Sequence, residues 1–170
     1  MSTLAFHSII KKMKNYQIEI KWGVIFFAAS LLWMYFEKLM GWHDVLIAKH
    51  AIYTNFFGLI AIAIYFFAIH DKRKNFFRGK MSWRQGFVSG VILSIVIALL
   101  SPIGQLITHY LISPEYFENA IESSVERNAM KQEDAEAYFN LSSYIVQSIA
   151  GALMMGVVTS AIVALILRKK

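Results

Sequence analysis

Four long apolar segments divide this chain, and the charged residues between them alternate in sign. The segments cover about residues 22–40, 51–70, 86–112 and 144–167. Each can cross a hydrocarbon core, which takes about 20 helical residues. Lipid offers the backbone no hydrogen-bond partner, so apolar runs of this length select α-helices. The expected fold is all-α: a four-transmembrane-helix antiparallel bundle with an extracytoplasmic amphipathic helical hairpin between the third and fourth spans.

The charges orient it. Lys11, Lys12, Lys14 and Lys21 precede the first segment against Glu19 alone. Lys72, Arg73, Lys74, Arg78, Lys80 and Arg84 follow the second against Asp71, and Arg168, Lys169 and Lys170 end the chain. The other two loops carry nearly all the acids. Basic residues beside membrane helices stay cytoplasmic. Both termini and the 71–85 loop are therefore read as cytoplasmic, in a multi-pass protein of the bacterial inner membrane. Lys72, Arg73, Lys74, Arg78, Lys80 and Arg84 are expected to anchor this topology and to meet anionic lipid head groups. The same pattern accounts for a formal net charge of +6 without nucleic acid as a partner.

Other classes fall away on composition. At 57% hydrophobic residues the chain is too apolar for an ordinary soluble domain. The absence of cysteine excludes disulfides, thiol nucleophiles and thiolate-bound metal. The first apolar segment follows basic residues as a signal peptide would, yet Phe36–Met40 offers no cleavage site of small residues, so a retained helix is expected. Residues 1–21 read as a cytoplasmic lead-in before a single membrane domain over 22–170. Met13 would also suit a start of translation, which would make residues 1–12 dispensable.

The third segment exceeds a simple span and holds Ser101-Pro102, where a kink is expected; its outer end should leave the lipid. Ser113-Pro114-Glu115 reads as a helix start, with serine capping and proline in the first turn. Phe117, Ala120, Ile121, Ser124 and Val125 then form an apolar stripe opposite Glu115, Glu118, Glu122 and Glu126. A second short helix over about 132–139 completes the hairpin at 114–140.

Small residues recur every four positions in two spans: Gly86, Gly90, Ser94 and Ala98 in the third, and Ser148, Ala152, Gly156, Ser160 and Ala164 in the fourth. Such ridges let backbones approach closely in lipid. Packing of the third span on the fourth is expected, with a seam to a second copy or to another membrane protein as the alternative. The first two spans have no such ridge and should pack more loosely.

No acid or base falls deep inside a span. Polar groups gather at the outer ends instead: Glu37, His43, Asp44, His50, Asn55, Gln105 and His109. An antiparallel bundle would bring them to one level. Glu37, His43, Asp44, His50 and His109 have the donor types for a zinc-like ion, but none shares a tight helical spacing, so neither metal nor cofactor is expected. Phosphate loops, nucleophile elbows and carboxylates paired within a span are absent. The expectation is a non-enzymatic accessory or interaction protein that binds a partner or lipid through the outer hairpin and the last two spans. The alternative is a small ion- or proton-coupled transporter or channel subunit acting through the polar cluster.

Finally, Glu19-Ile20-Lys21-Trp22-Gly23, Glu37-Lys38, His43-Asp44, Lys49-His50 and Tyr53-Thr54-Asn55 form an ordered series. It continues with Asp71-Lys72-Arg73, Gln85-Gly86-Phe87, Ser101-Pro102, Glu115-Tyr116-Phe117 and Ala135-Glu136-Ala137-Tyr138-Phe139. From Met13 onward this series resembles a family of small membrane proteins of Bacteroidota described as a domain of unknown function. The resemblance implies four helices and an inner-membrane location, and carries over no catalytic residue.

Overall fold

The structure is a computed structural model and describes residues 15–169. Residues 1–12, expected to be dispensable if translation starts at Met13, and most of the lead-in lie outside the described residues. Helix α1 spans Gln17–Leu39, starting before the boundary expected at residue 22 because Glu19 is buried among partners rather than left to solvent. Helix α2, Ile47–Tyr53, passes through a 3₁₀ turn at Thr54–Phe56 into α3, Phe57–Asp71, and ends in a π turn at Lys72–Phe76. Ile47–Phe76 is thus one span of 30 residues.

Helix α4, Trp83–Ile107, opens with a capping box: Ser82 accepts from the Gln85 amide, and the Gln85 side chain accepts from the Ser82 amide at 2.8 Å. The helix continues through Pro102 into a π turn at Thr108–Ile112. Ser101 explains part of that continuity. Its hydroxyl donates to the Ala98 carbonyl at 3.0 Å, the group left without its helical donor by proline at position 102.

Two short helices follow, α5 (Tyr116–Glu126) and α6 (Gln132–Tyr138). Ser113 does not cap α5 with its side chain, as the sequence suggests. The helix starts at Tyr116, whose amide bonds the Ser113 carbonyl. The buried row on α5 is Tyr116, Ala120 and Ser124, one register away from the centre of the predicted stripe. The four glutamates are exposed as expected. Helix α7, Leu141–Leu167, is capped by Asn140, whose side chain accepts from the Ser143 amide at 2.9 Å. There is no strand among the described residues.

The most extensive contact joins α4 to α7, and the two small-residue ridges make it. A Cβ at Gly90 would lie 2.3 Å from the Ser160 hydroxyl, and one at Gly156 would lie 2.3 Å from the Ser94 hydroxyl. No larger residue fits without moving its neighbour. The hydroxyls on the ridges are satisfied, Ser94 by the Gly90 carbonyl and Tyr65, Ser160 by the Gly156 carbonyl. Ser148 meets Ser101 at 3.2 Å farther along. Much of both ridges is therefore consumed inside the chain. Around them lies a core that includes Ile69, Leu93, Ile97, Val163 and Leu167.

The outward surface is apolar. Leu32, Leu59, Leu99 and Ile166 each leave 65% or more of their area exposed. Water would penalise such a surface, whereas lipid would solvate it.

Candidate functional site

Near the end of α1, Gly41 takes φ +73°, the left-handed region open to glycine at little cost. The chain then folds back: the Trp42 amide bonds the Glu37 carbonyl and the Leu46 amide bonds the Gly41 carbonyl, at 3.0 and 2.8 Å. This turn lays His43 over Glu37, and the first turn of α2 brings His50 to the same carboxylate. Both Nε2 atoms stand 3.2 Å from Glu37 Oε2. Trp33, one helical turn before Glu37, donates its Nε1–H to Oε1 at 2.6 Å. Glu37 is completely buried and His43 is 2% exposed.

Helix α5 closes the arrangement. The Tyr116 hydroxyl lies 3.1 Å from His50 Nδ1 and 3.0 Å from the Tyr144 hydroxyl. Asn119 donates to the His43 carbonyl at 3.0 Å. The rings of His43, His50 and Tyr116 pack edge to face with centroids 5.0–5.2 Å apart. Burial pushes the Tyr116 phenol well above its ordinary pKa, and the neighbouring Tyr144 adds to the shift. Tyr116 therefore stays neutral and can both donate and accept.

A cavity of about 450 Å³ lies beside these groups, lined by His43, His50, Gln105, His109, Tyr116 and Tyr144 among others. A second, about 360 Å³, lies between the spans, with Phe26, Phe27, Tyr65, Ala152 and Met155 in its walls. Met34, Gln105 and Thr108 line both. A chamber whose largely apolar wall carries several polar side chains thus adjoins a more apolar one.

The sequence cluster is divided by the fold. Glu37, His43 and His50 converge, and Gln105 and His109 face the same cavity. The His109 ring packs on Phe117, and its Nδ1 is buried without a partner. Asp44 is exposed and its carboxylate accepts from the next backbone amide, while Asn55 is exposed and donates to the Ala51 carbonyl. Neither joins the site, because each answers a local backbone group. Trp33, Tyr116, Asn119 and Tyr144 escape the sequence reading. Only Trp33 left a signal there, its four-residue spacing from Glu37 on one helix face.

At the opposite end, Lys72 departs from the role expected of it. It is 4% exposed, and so is unavailable to lipid head groups. Its Nζ reaches both Glu19 oxygens at 3.0 and 3.1 Å, donates to the Asn15 carbonyl at 2.6 Å and sits 3.9 Å over the Phe76 ring. Ser89 donates to Glu19 at 2.7 Å. Arg73 is half-buried and donates to the Leu167 carbonyl at the end of α7. Lys74, Arg78, Lys80 and Arg84 remain exposed. Asp71 takes bonds from Lys21, Trp22 and Asn75.

Four helices are long and apolar enough to cross a membrane, Gln17–Leu39, Ile47–Phe76, Trp83–Ile112 and Leu141–Leu167. With their apolar outward faces they define a multi-pass membrane protein. The chain belongs to the family described as a protein of unknown function (DUF4199), whose model matches residues 21–169. No curated protein and no solved structure matches it.

Proposed function

We propose that this is a binding protein of the bacterial inner membrane, non-enzymatic, that holds a lipid-like amphiphile at the outer leaflet. Its four spans form an antiparallel bundle with both termini cytoplasmic, and α5 with α6 forms an extracytoplasmic hairpin over the ligand. The charge alternation supports this orientation. One observation carries the binding role: the cavity that holds His50, Gln105 and His109 in its wall adjoins the more apolar one across Met34, Gln105 and Thr108. Ligand sites of this size are mostly apolar, with a few placed polar groups. A head group would meet His50, Gln105 and His109, and a tail would lie along Phe26, Phe27 and Met155. The exposed acidic face of the hairpin suits a protein partner that receives or delivers the ligand.

Gly151 tests the proposal. It lines the apolar cavity, and a Cβ there meets nothing within 4 Å, so Gly151→Leu fills the space without a first clash. The wild-type protein, purified in mild detergent, should retain an amphiphile enriched over bulk membrane lipid by mass spectrometry, and Gly151→Leu should lose it with unchanged thermal stability. A wild type that carries only the bulk lipid mixture would overturn the proposal.

A second reading, a small ion- or proton-coupled transporter or channel subunit, draws on the hydrogen-bonded row Glu37, His50, Tyr116 and Tyr144. It requires Glu37→Gln and His109→Ala to abolish a pH-dependent flux in proteoliposomes. Among the described residues no hydrogen bond links this row to the Tyr65–Ser94 pair in the core or to Glu19 and Lys72, so binding stands first.

A further inference from the structure

Glu37 lies in surroundings that call for a cation. A carboxylate removed from water is paired or coordinates a metal, and no lysine or arginine pairs with Glu37 among the described residues. What faces it is two imidazoles. Glu37 Oε2 lies 3.2 Å from each Nε2, and the three ligand atoms fall within 4.8 Å of one another. A zinc ion about 2.0–2.1 Å from tetrahedral donors holds those donors about 3.4 Å apart. Two of the three separations thus need almost no movement to admit an ion.

The surroundings are also built as those of a ligand set are. Trp33 holds the second oxygen of Glu37 and Tyr116 holds the second nitrogen of His50, at 2.6 and 3.1 Å. Such outer contacts fix the orientation of metal ligands. The Tyr116–Tyr144 pair of hydroxyls can run in either direction, so Tyr116 can accept the Nδ1–H that a metal-bound His50 would present. His43 is held instead through its carbonyl by Asn119. Its buried Nδ1 has no partner, so the contact of Nε2 with Glu37 alone sets its tautomer, and an ion in place of that proton would leave Nδ1 to carry it.

We propose that Glu37, His43 and His50 bind one divalent transition-metal ion of the zinc class, with a further coordination position facing the cavity of Gln105 and His109. Two nitrogens and one oxygen suit zinc and its first-row neighbours, whereas magnesium and calcium prefer oxygen throughout. This inference stands on the three donors alone, whether or not the cavity takes an amphiphile.

The test uses the full chain in detergent, its affinity tag removed, stripped with chelator and titrated with zinc chloride by calorimetry. Metal content is then read by mass spectrometry after gel filtration. One zinc per chain is expected, unaffected by excess magnesium. Glu37→Gln and His50→Ala should abolish it, and Asp44→Asn should leave it unchanged. Tyr116→Phe, at a positioning residue, should weaken zinc by roughly 10–100-fold. X-ray absorption of the zinc-loaded wild type needs no variant. It should show imidazole scattering and light-atom ligands at about 2.0–2.2 Å. No bound zinc, zinc held equally by Glu37→Gln and His50→Ala, or a spectrum without imidazole would each overturn the proposal.

Discussion

Each end of the molecule buries a glutamate, and the two ends treat its charge differently. Glu19 is 2% exposed and meets a lysine that is itself 4% exposed, along with the Ser89 hydroxyl. The pair carries its own neutralisation and joins α1, the π turn after α3, and α4. Glu37 is equally buried but meets imidazoles, a tryptophan N–H and, through His50, a row of phenols, with no lysine or arginine paired to it among the described residues. Imidazole can serve as acid, base or metal ligand, whereas a lysine ammonium bound to a carboxylate serves mainly as its counter-charge. The Lys72 end is thus closed upon itself as structure. The His50 end keeps imidazole donors beside an open cavity, which is where a ligand can be met.

The sharpest way to break this comparison is to remove one partner of the closed pair. Lys72→Met should cost about 3–5 kcal/mol, because it strands a buried carboxylate. Adding Glu19→Gln should recover most of that loss. Thermal or SDS unfolding in detergent reads both, and a mild effect of Lys72→Met would mean that water reaches Glu19. Next in size, saturating zinc at about 100 times its Kd should stabilise the wild type by about 2.7 kcal/mol and leave Glu37→Gln unmoved, while Lys72→Met retains the zinc response from its lower baseline.

Without metal, Tyr116→Phe should cost about 1 kcal/mol by removing the partner of His50 and Tyr144. The smallest effect belongs to Lys21→Ala. Its side chain is 53% exposed, and Asp71 keeps Trp22 and Asn75 as partners, so less than about 1 kcal/mol should be lost. A larger loss would show that the Lys72 end depends on its rim as well as on its buried pair.

Much of the fold was legible because it is written locally. The apolar lengths gave the four spans, and the four-residue ridges on α4 and α7 anticipated where Gly90 meets Ser160 and Gly156 meets Ser94. Boundaries were less legible. Glu19 read as part of the lead-in and Lys72 as part of a loop, yet both lie within helical backbone, where each neutralises the other across the bundle. At the site, the residue types were visible while their grouping was not. Asp44 and Asn55 looked as suitable as His43 and His50, and only the turn at Gly41 turns His43 inward while Asp44 stays outside.

The amino-acid sequence by itself determined that this chain is helical and crosses a membrane, since about 20 successive apolar residues impose that wherever the chain runs. Only the tertiary structure decided which polar residues meet. Glu37, His43, His50, Tyr116 and Tyr144 come from separate helices and from the turn after α1, and their approach depends on how those pieces fold over one another. No spacing along the chain records such an arrangement, because side-chain convergence is a property of packing and not of periodicity.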